Sequence, residues 1–447
     1  MRITINRTKS VCPVCLKTIE AERILDNDNK IYLKKECKEH GSFKTLIWED
    51  DLTGYYRWGM AKENQEGPVN PSLKTEKECP ADCGLCPEHQ SKGCCVLLEL
   101  TNRCNLHCPV CFASAGESAS KDLTIEEISR QYDYLMAHGG PFNIQLSGGE
   151  PTMREDLGEI IRLGRNKGFT FFQLNTNGLR LSEKADYAEE LKAAGLNTIF
   201  LQFDGLTDEV YEALRGRPLL DVKKQAIINC AKAGLGVVLV PVIAPGINDD
   251  QVGEILKFAL EGMPYIRGVH FQPVSYFGRC SLNPEGERIT IPRMLRMIEK
   301  QTKGQMKAED FGGGGAENPY CSFHASYLMG ESGAWRPLKK KNTCCCCTTS
   351  DESREFVARQ WNGEEPEQEL PPDGPMMDTS GLDDFLKSVR QRTFAVSGMI
   401  FQDAFNFDVD RIRRCYICEM DSEYGMVPFC AYNLTNTRGE YLYRKQT

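Results

Sequence analysis

No apolar run in this chain approaches the roughly 18 residues that a membrane-spanning helix needs, so no bilayer span is expected. The opening residues, Met1-Arg2-Ile3-Thr4-Ile5-Asn6-Arg7, lack the apolar core of a secretory signal. Basic charge is also short. Lys and Arg number 54 against 63 Asp and Glu, for a formal net charge of −9. The run Lys339-Lys340-Lys341 is too short to form a basic patch. That balance argues against binding a phosphate backbone, so nucleic acid is not expected as a partner. No long internal repeat is visible, which sets repeat architectures aside.

What the chain has in excess is cysteine, 21 in 447 residues. Secreted disulfide scaffolds are short, and this chain is not. A long, cysteine-rich chain without a signal core reads as cytoplasmic and metal-binding.

The chain divides into an N-terminal metal module over 1–50, a linker and cysteine cluster over 51–95, a regular core over 96–280 and a cysteine-rich C-terminal region over 281–447. Gly67-Pro68 and Pro71 mark the linker. In the core, strands are expected at 96–100, 143–146, 169–174, 198–203, 237–242 and 269–274, with helices between them. Thr124-x-x-Glu127 is a capping box that opens the first helix. Six strands alternating with helices imply right-handed βαβ units and a parallel sheet. The strands are mostly apolar, as expected when helices cover one face and a packed interior the other. Ligands collect at the C-terminal ends of such strands. The proline-rich acidic stretch 349–380 reads as a mobile surface excursion.

The densest motif directly follows the first strand: Thr101-Asn-Arg-Cys104-Asn-Leu-His-Cys108-Pro-Val-Cys111-Phe112. A four-iron cluster normally takes four thiolates, so three close cysteines can leave one iron open to a ligand. After the second strand stands Ser147-Gly148-Gly149-Glu150-Pro151-Thr152, whose glycines allow close backbone approach to a ligand. Asn175 and Asn177 follow the third strand, Gln202 and Asp204 the fourth, and Gln272 lies on the sixth. Arg215 is either a partner for a bound carboxylate or a surface ion pair.

The spacing C-x3-C-x2-C with the Gly-Gly-Glu-Pro loop resembles the radical S-adenosylmethionine (radical SAM) superfamily, which implies a partial (β/α)6 barrel. It also implies that Cys104, Cys108 and Cys111 hold a catalytic [4Fe–4S] cluster. SAM would be bound by Gly148, Gly149, Glu150, Pro151, Asn175, Asn177, Gln202, Asp204 and Gln272.

Three further groups of soft ligands surround this core. Cys12-x-x-Cys15 and Cys37-x-x-His40 make a tetrahedral site, open to structural zinc or a rubredoxin-like mononuclear iron. Cys79, Cys83 and Cys86, with Cys94 and Cys95 nearby, suit an auxiliary iron–sulfur cluster, with zinc as the alternative. Cys321, the run Cys344 to Cys347, Cys415, Cys418 and Cys430 form a dispersed group. Adjacent cysteines diverge in direction, so the run cannot all serve one metal. From this group Cys321, Cys415 and Cys430 are the expected metal ligands. Cys230 reads as a buried helix residue, and Cys280 stays ambiguous.

The layout is similar to one subgroup, which holds the archaeal tetraether lipid synthases and the class D, dihydropterin-methylating proteins. The N-terminal CxxC…CxxH, Cys79-Pro-Ala-Asp-Cys83-Gly-Leu-Cys86-Pro-Glu-His, the cluster loop and the ending Phe401-Gln-Asp-Ala-Phe-Asn-Phe-Asp408 … Arg414-Cys415 … Pro428-Phe429-Cys430-Ala431-Tyr432-Asn433 carry that resemblance. The resemblance implies one or two auxiliary [4Fe–4S] clusters and reductive SAM cleavage to a 5′-deoxyadenosyl radical. The leading expectation is carbon–carbon bond formation at an unactivated carbon of a lipid or alkyl chain, with peripheral membrane contact left open. The alternative enzymes are a pterin methyltransferase and a peptide-modifying maturase, and the rival class is an iron–sulfur electron carrier. The expected electron donor is a ferredoxin or flavodoxin. The segment Asn318-Pro-Tyr-Cys321-Ser-Phe-His324 and the four-cysteine run depart from the lipid synthases and point to a bacterial branch, which weakens the lipid expectation.

Overall fold

The computed structural model describes residues 2–60, 66–72, 77–116, 121–314, 316–330, 334–338, 349–362, 389 and 391–444. The Cys344–Cys347 run and Lys339-Lys340-Lys341 lie outside the described residues.

The N-terminal module is a four-stranded antiparallel sheet: β1 (Ile3–Val11), β2 (Thr18–Leu25), β3 (Ile31–Cys37) and β4 (Gly41–Trp48). Period-two alternation buries Ile31, Leu33, Lys35 and Cys37 of β3 on one face. The linker expected from residue 51 begins instead with a helix, α1 (Leu52–Gly59), capped by Asp51, whose side chain accepts from Gly54 N at 2.6 Å. Tyr55 anchors it, stacked on Tyr320 with centroids 4.4 Å apart. Two tyrosines that each need an apolar partner hold a segment whose composition alone reads as linker.

The core is a barrel-like parallel sheet. Its strands are β5 (Cys95–Thr101), β7 (Asn143–Gly148), β8 (Phe172–Thr176), β9 (Thr198–Gln202), β10 (Gly236–Val240) and β12 (Ile266–Pro273), in that spatial order. Two-residue strands β6 (Val110–Cys111), β11 (Val242–Ile243) and β13 (Arg279–Cys280) belong to its loops. The third strand runs later than its apolar run suggests, because Phe169 and Phe171 are buried in the approach to β8. The fifth is cut into β10 and β11 at Pro241, which has no N–H for the ladder.

Helices α2 (Ile125–Ala137), α3 (Leu157–Asn166), α4 (Leu179–Glu183), α5 (Tyr187–Ala194), α6 (Asp208–Arg215), α7 (Leu220–Lys232), α8 (Val252–Glu261) and α9 (Ile291–Gln301) pack outside. The capping box of α2 forms as the sequence suggests, with Thr124 and Glu127 bonding each other's backbone N–H. Ile128, Tyr132, Leu135, Ile160 and Ile161 from these helices meet Ile144, Leu146, Leu174, Ile199 and Leu239 in one core.

The C-terminal region returns to this sheet on both edges. Among β14 (Ser322–Met329), β15 (Trp335–Pro337), β16 (Thr393–Met399), β17 (Ile417–Asp421) and β18 (Gly425–Pro428), β16 pairs parallel with β12 and β17 parallel with β5. Residues 400–416 join β16 to β17 as a strap, and the N-terminal sheet docks on it. Lys35 Nζ donates to Ala404 O at 2.6 Å, Ser10 Oγ to Phe407 O at 2.5 Å, and Arg23 pairs with Asp408. The stretch expected to be a mobile excursion contains α10 (Ser350–Trp361), which lies across the base of the barrel; 363–380 lies outside the described residues. Among the described residues no helix is long and apolar enough to cross a membrane.

Candidate functional site

The three-cysteine loop leaves β5 at Thr101 and turns back as β6, which pairs antiparallel with β13. Arg279 Nε donates to Cys108 O at 2.7 Å and fixes the loop from behind. Cys104, Cys108 and Cys111 share an apolar pocket with Leu106, Leu179, Tyr211 and Leu219. Burial pushes the Cys104 thiol up to about 12 and raises that of Cys108, where the Arg215 guanidinium opposes the shift. Among the described residues no fourth cysteine enters the pocket. Three soft donors with one position left open fit a [4Fe–4S] cluster that keeps one iron for a ligand. When bound, that cluster supplies the electron that cleaves SAM.

The Gly-Gly-Glu-Pro loop packs directly on the cluster loop. Gly149 N donates to Thr101 O at 2.7 Å and Glu150 N to Arg103 O at 2.9 Å. A Cβ on Gly148 would lie 2.3 Å from Thr101 O, and one on Gly149 2.3 Å from Arg103 O. The glycines thus serve close approach of loop to loop, a use the motif does not reveal alone. Glu150 is buried, and its carboxylate accepts from Thr152 N, Thr152 Oγ1, Thr176 Oγ1 and Asn177 N. It ties the ends of β7 and β8 together, while Pro151 starts the following turn. Asn177 Nδ2 reaches the cluster loop at Asn105 Oδ1, 2.7 Å away. The sequence candidates at the ends of β7 and β8 therefore gather around the cluster loop.

Asp204 and Arg215 stand differently from the expectation. Each guanidinium nitrogen in the pair is 2.7 Å from a carboxylate oxygen, and both side chains are buried. Arg215 is neither a surface ion pair nor free for a ligand carboxylate, and Asp204 also accepts from Val242 N.

The barrel interior carries many polar side chains beside the apolar Phe200, Val238 and Val240. Ile144, Leu146, Leu174, Ile199, Leu201, Val269 and Phe271 face the helices, so alternation turns Gln145, Gln173, Asn175, Phe200, Gln202, His270 and Gln272 inward. Gln173 donates to Asn175 Oδ1 at 2.8 Å, and Asn175 to Gln145 Oε1 at 3.2 Å. His270 Nδ1 lies 2.9 Å from Ser397 Oγ. Gln145, Asn175, Gln202, His270 and Gln272 keep partial exposure although they sit in central strands, while Gln173 and Phe200 are buried, so the interior is packed in part and accessible in part. A separate cavity of about 280 Å³ lies between the N-terminal sheet and the strap, lined by Arg23, Trp48, Tyr320, Phe401 and Arg411 among others. None of the cluster cysteines lines it.

In the N-terminal module the ligand atoms of Cys12, Cys15, Cys37 and His40 lie within 4.8 Å of one another, which fits one tetrahedral ion. Backbone N–H from Glu39, and then the His40 ring, pull the Cys37 thiol down to about 6. Cys79, Cys83 and Cys86 lie within electrostatic reach of one another, burial pushes the Cys79 thiol up to about 12, and Tyr443 Oη accepts from Cys83 N at 2.8 Å. Cys321, Cys415 and Cys430 come together from three distant segments, with Arg411 Nε and Nη2 both 3.4 Å from Cys321 Sγ. Cys94, Cys95 and Cys418 are buried close to Cys415. Cys280 carries the β13 pairing opposite Val110, and Cys230 is a buried helix residue as expected.

Sequence reasoning missed Lys223, which is fully buried; its Nζ donates to Asn177 O at 2.5 Å and to Gln202 Oε1 at 3.3 Å. Burial pulls it down to about 8. The signal was available: Lys223 falls on the stripe of Leu219, Ala226, Ile227 and Cys230, where a charge is out of place.

Residues 98–259 match the radical SAM superfamily, and residues 4–49 match the HMPTM N-terminal zinc ribbon domain. The chain is 35% identical over 475 residues to the 7,8-dihydro-6-hydroxymethylpterin dimethyltransferase of Methanocaldococcus jannaschii, covering 96% of this chain and 93% of that one. It is 34% identical over 199 residues to the GTP 3',8-cyclase of Paenarthrobacter nicotinovorans, covering 43% of this chain and 55% of that protein. The crystal structure of Streptococcus suis SuiB bound to S-adenosylmethionine is 17% identical, with a TM-score of 0.41 and 47% of each chain covered. With the cluster loop, the Gly-Gly-Glu-Pro loop and the metal ribbon in place, and with 35% identity to the dihydropterin dimethyltransferase over 96% of this chain, the chain is a radical SAM enzyme and belongs to that family.

Proposed function

We propose that this enzyme is a radical SAM methyltransferase whose substrate is a reduced pterin or a similarly polar fused-ring heterocycle. The observation that carries this reading is the 35% identity over 96% of the chain to a 7,8-dihydro-6-hydroxymethylpterin dimethyltransferase. The barrel interior supports it. Gln145, Asn175, Gln202 and Gln272 offer amide donors and acceptors that match the ring edges of a pterin. A lipid or alkyl chain has no hydrogen-bonding groups to match that polar lining. Carbon–carbon coupling on a lipid, the leading expectation from sequence, ranks second for that reason.

Cys104, Cys108 and Cys111 hold the SAM-cleaving cluster in this reading, and the loops at Gly148–Pro151 and Asn175–Asn177 frame SAM. Cys79, Cys83 and Cys86 form one auxiliary site, and Cys321, Cys415 and Cys430 the other. A ferredoxin or flavodoxin supplies electrons.

The test is anaerobic reconstitution with iron and sulfide, then dithionite, SAM and either 7,8-dihydro-6-hydroxymethylpterin or a diether lipid. A tetrahydrofolate-type one-carbon donor and SAM are each offered as methyl source. A methylated pterin with 5′-deoxyadenosine supports the reading. Turnover of the lipid and none of the pterin would overturn it.

A further inference from the structure

We propose that Trp361 is the floor of the substrate cavity and sets which ring systems the barrel accepts, an inference that rests on the pterin reading above. The observations concern α10, the helix across the base of the barrel. It has almost no apolar face of its own. Ser350 is its one buried residue, and Phe356 is 46% exposed. Helices that pack by a hydrophobic stripe look different.

What holds α10 is a set of polar contacts to the barrel rim. Asn143 Nδ2 donates to Arg354 O at 3.0 Å, Arg354 Nη1 to Pro141 O at 2.6 Å, and Lys92 pairs with Asp351. Asn143 begins β7, and Lys92 precedes β5, so these contacts lie at the end of the barrel opposite the cluster loop.

The last residue of the helix turns into the barrel. The Trp361 ring lies 4.7 Å from Phe200 at 56° and 6.1 Å from His270 at 70°, measured between centroids. Phe200 and His270 are inward-facing residues of β9 and β12, and His270 is fixed by Ser397 of β16. Trp361 is absent from the core on the outer face of these strands, so filling that core is not its role. It stays partly exposed, and the side chains its ring meets, Phe200 and His270, are ones that alternation turns into the barrel.

The polar residues stand above this aromatic group. Gln202 follows Phe200 by two residues on β9, and Gln272 follows His270 by two on β12. Two residues of strand rise about 6–7 Å toward the cluster end. A flat ring lying on the indole therefore has amides within hydrogen-bond reach of its edge, the arrangement that holds a planar heterocycle. The indole also blocks the base, so a ring carrying a long substituent downward cannot enter.

The test compares the full-length, cluster-loaded enzyme with Trp361→Ala and Trp361→Phe. The probes are 7,8-dihydro-6-hydroxymethylpterin and the bulkier 7,8-dihydropteroate. Binding is read by equilibrium dialysis, and KM and kcat separately by turnover. Trp361→Ala is expected to weaken binding of the smaller pterin and raise its KM, each at least tenfold. It should also shift the kcat/KM ratio toward the bulkier pterin by at least tenfold. Trp361→Phe, which keeps an aromatic surface, should recover binding to within about threefold of the parent. If the alanine variant does not fold, the phenylalanine variant decides alone, through a selectivity shift of at least twofold toward the bulkier ring. Binding and selectivity unchanged in every folded variant would overturn the floor assignment while leaving the pterin reading intact. No binding of either pterin to the parent enzyme would overturn both.

Discussion

Arg215 grips Asp204 with two nitrogens, each 2.7 Å from a carboxylate oxygen, in a buried site against Cys108. Removing one partner leaves the other as an uncompensated buried charge, which typically costs 3–5 kcal/mol. Asp204→Asn or Arg215→Met should each lower unfolding free energy by roughly that amount in anaerobic urea titrations. The double substitution should cost clearly less than the sum of the two. Additive losses would show that the two side chains do not act as a pair.

Lys223 predicts a pH dependence. Burial lowers its folded-state pKa to about 8 from an ordinary value of 10.5. Between those values the unfolded chain holds a proton that the folded chain has lost. Stability should therefore rise with pH from about 8 to 10.5, by at most about 1.4 kcal/mol per unit from this group. Lys223→Met should flatten that slope, as read from urea midpoints across the window. A slope that survives the substitution would assign it to other groups.

Gly149 predicts a steric effect on the cluster loop. An alanine Cβ there would lie 2.3 Å from Arg103 O and 2.9 Å from Asn102 O, so the loop must move. Gly149→Ala should cut 5′-deoxyadenosine formation at least tenfold in a chain that still folds, as judged by circular dichroism. Gly312→Ala, with nothing within 4 Å of its Cβ, is the control expected to behave as the parent.

The N-terminal site predicts separable metal loss. Cys37→Ser or His40→Ala should remove one metal equivalent by elemental analysis and speed amide exchange over 3–48, because a tetrahedral site with three donors is weakened. Cys108→Ala should instead abolish 5′-deoxyadenosine formation and spare the N-terminal metal. Loss of that metal in Cys108→Ala would mean the two sites are not independent.

Much of this protein was decided locally. The three-cysteine loop, the Gly-Gly-Glu-Pro loop, the CxxC and CxxH pairs and the capping box of α2 are written in short spacings, because each depends on atoms a few residues apart. The six core strands were legible too, as apolar runs broken by helices. Only the tertiary structure decided the rest. It brought Cys321 to Cys415 and Cys430, set Arg215 on Asp204, and placed the strap of 400–416 between β16 and β17. It also carried Trp361 from a stretch that reads as polar surface into the barrel. Those relationships join residues far apart in the chain, and polar strand ends or a lone tryptophan look alike wherever they fall. A barrel wall turns every second residue inward, so which side chains meet there depends on how the strands close. The sequence therefore named the chemistry at the cluster, while the shape and polarity of the space in front of it came from packing.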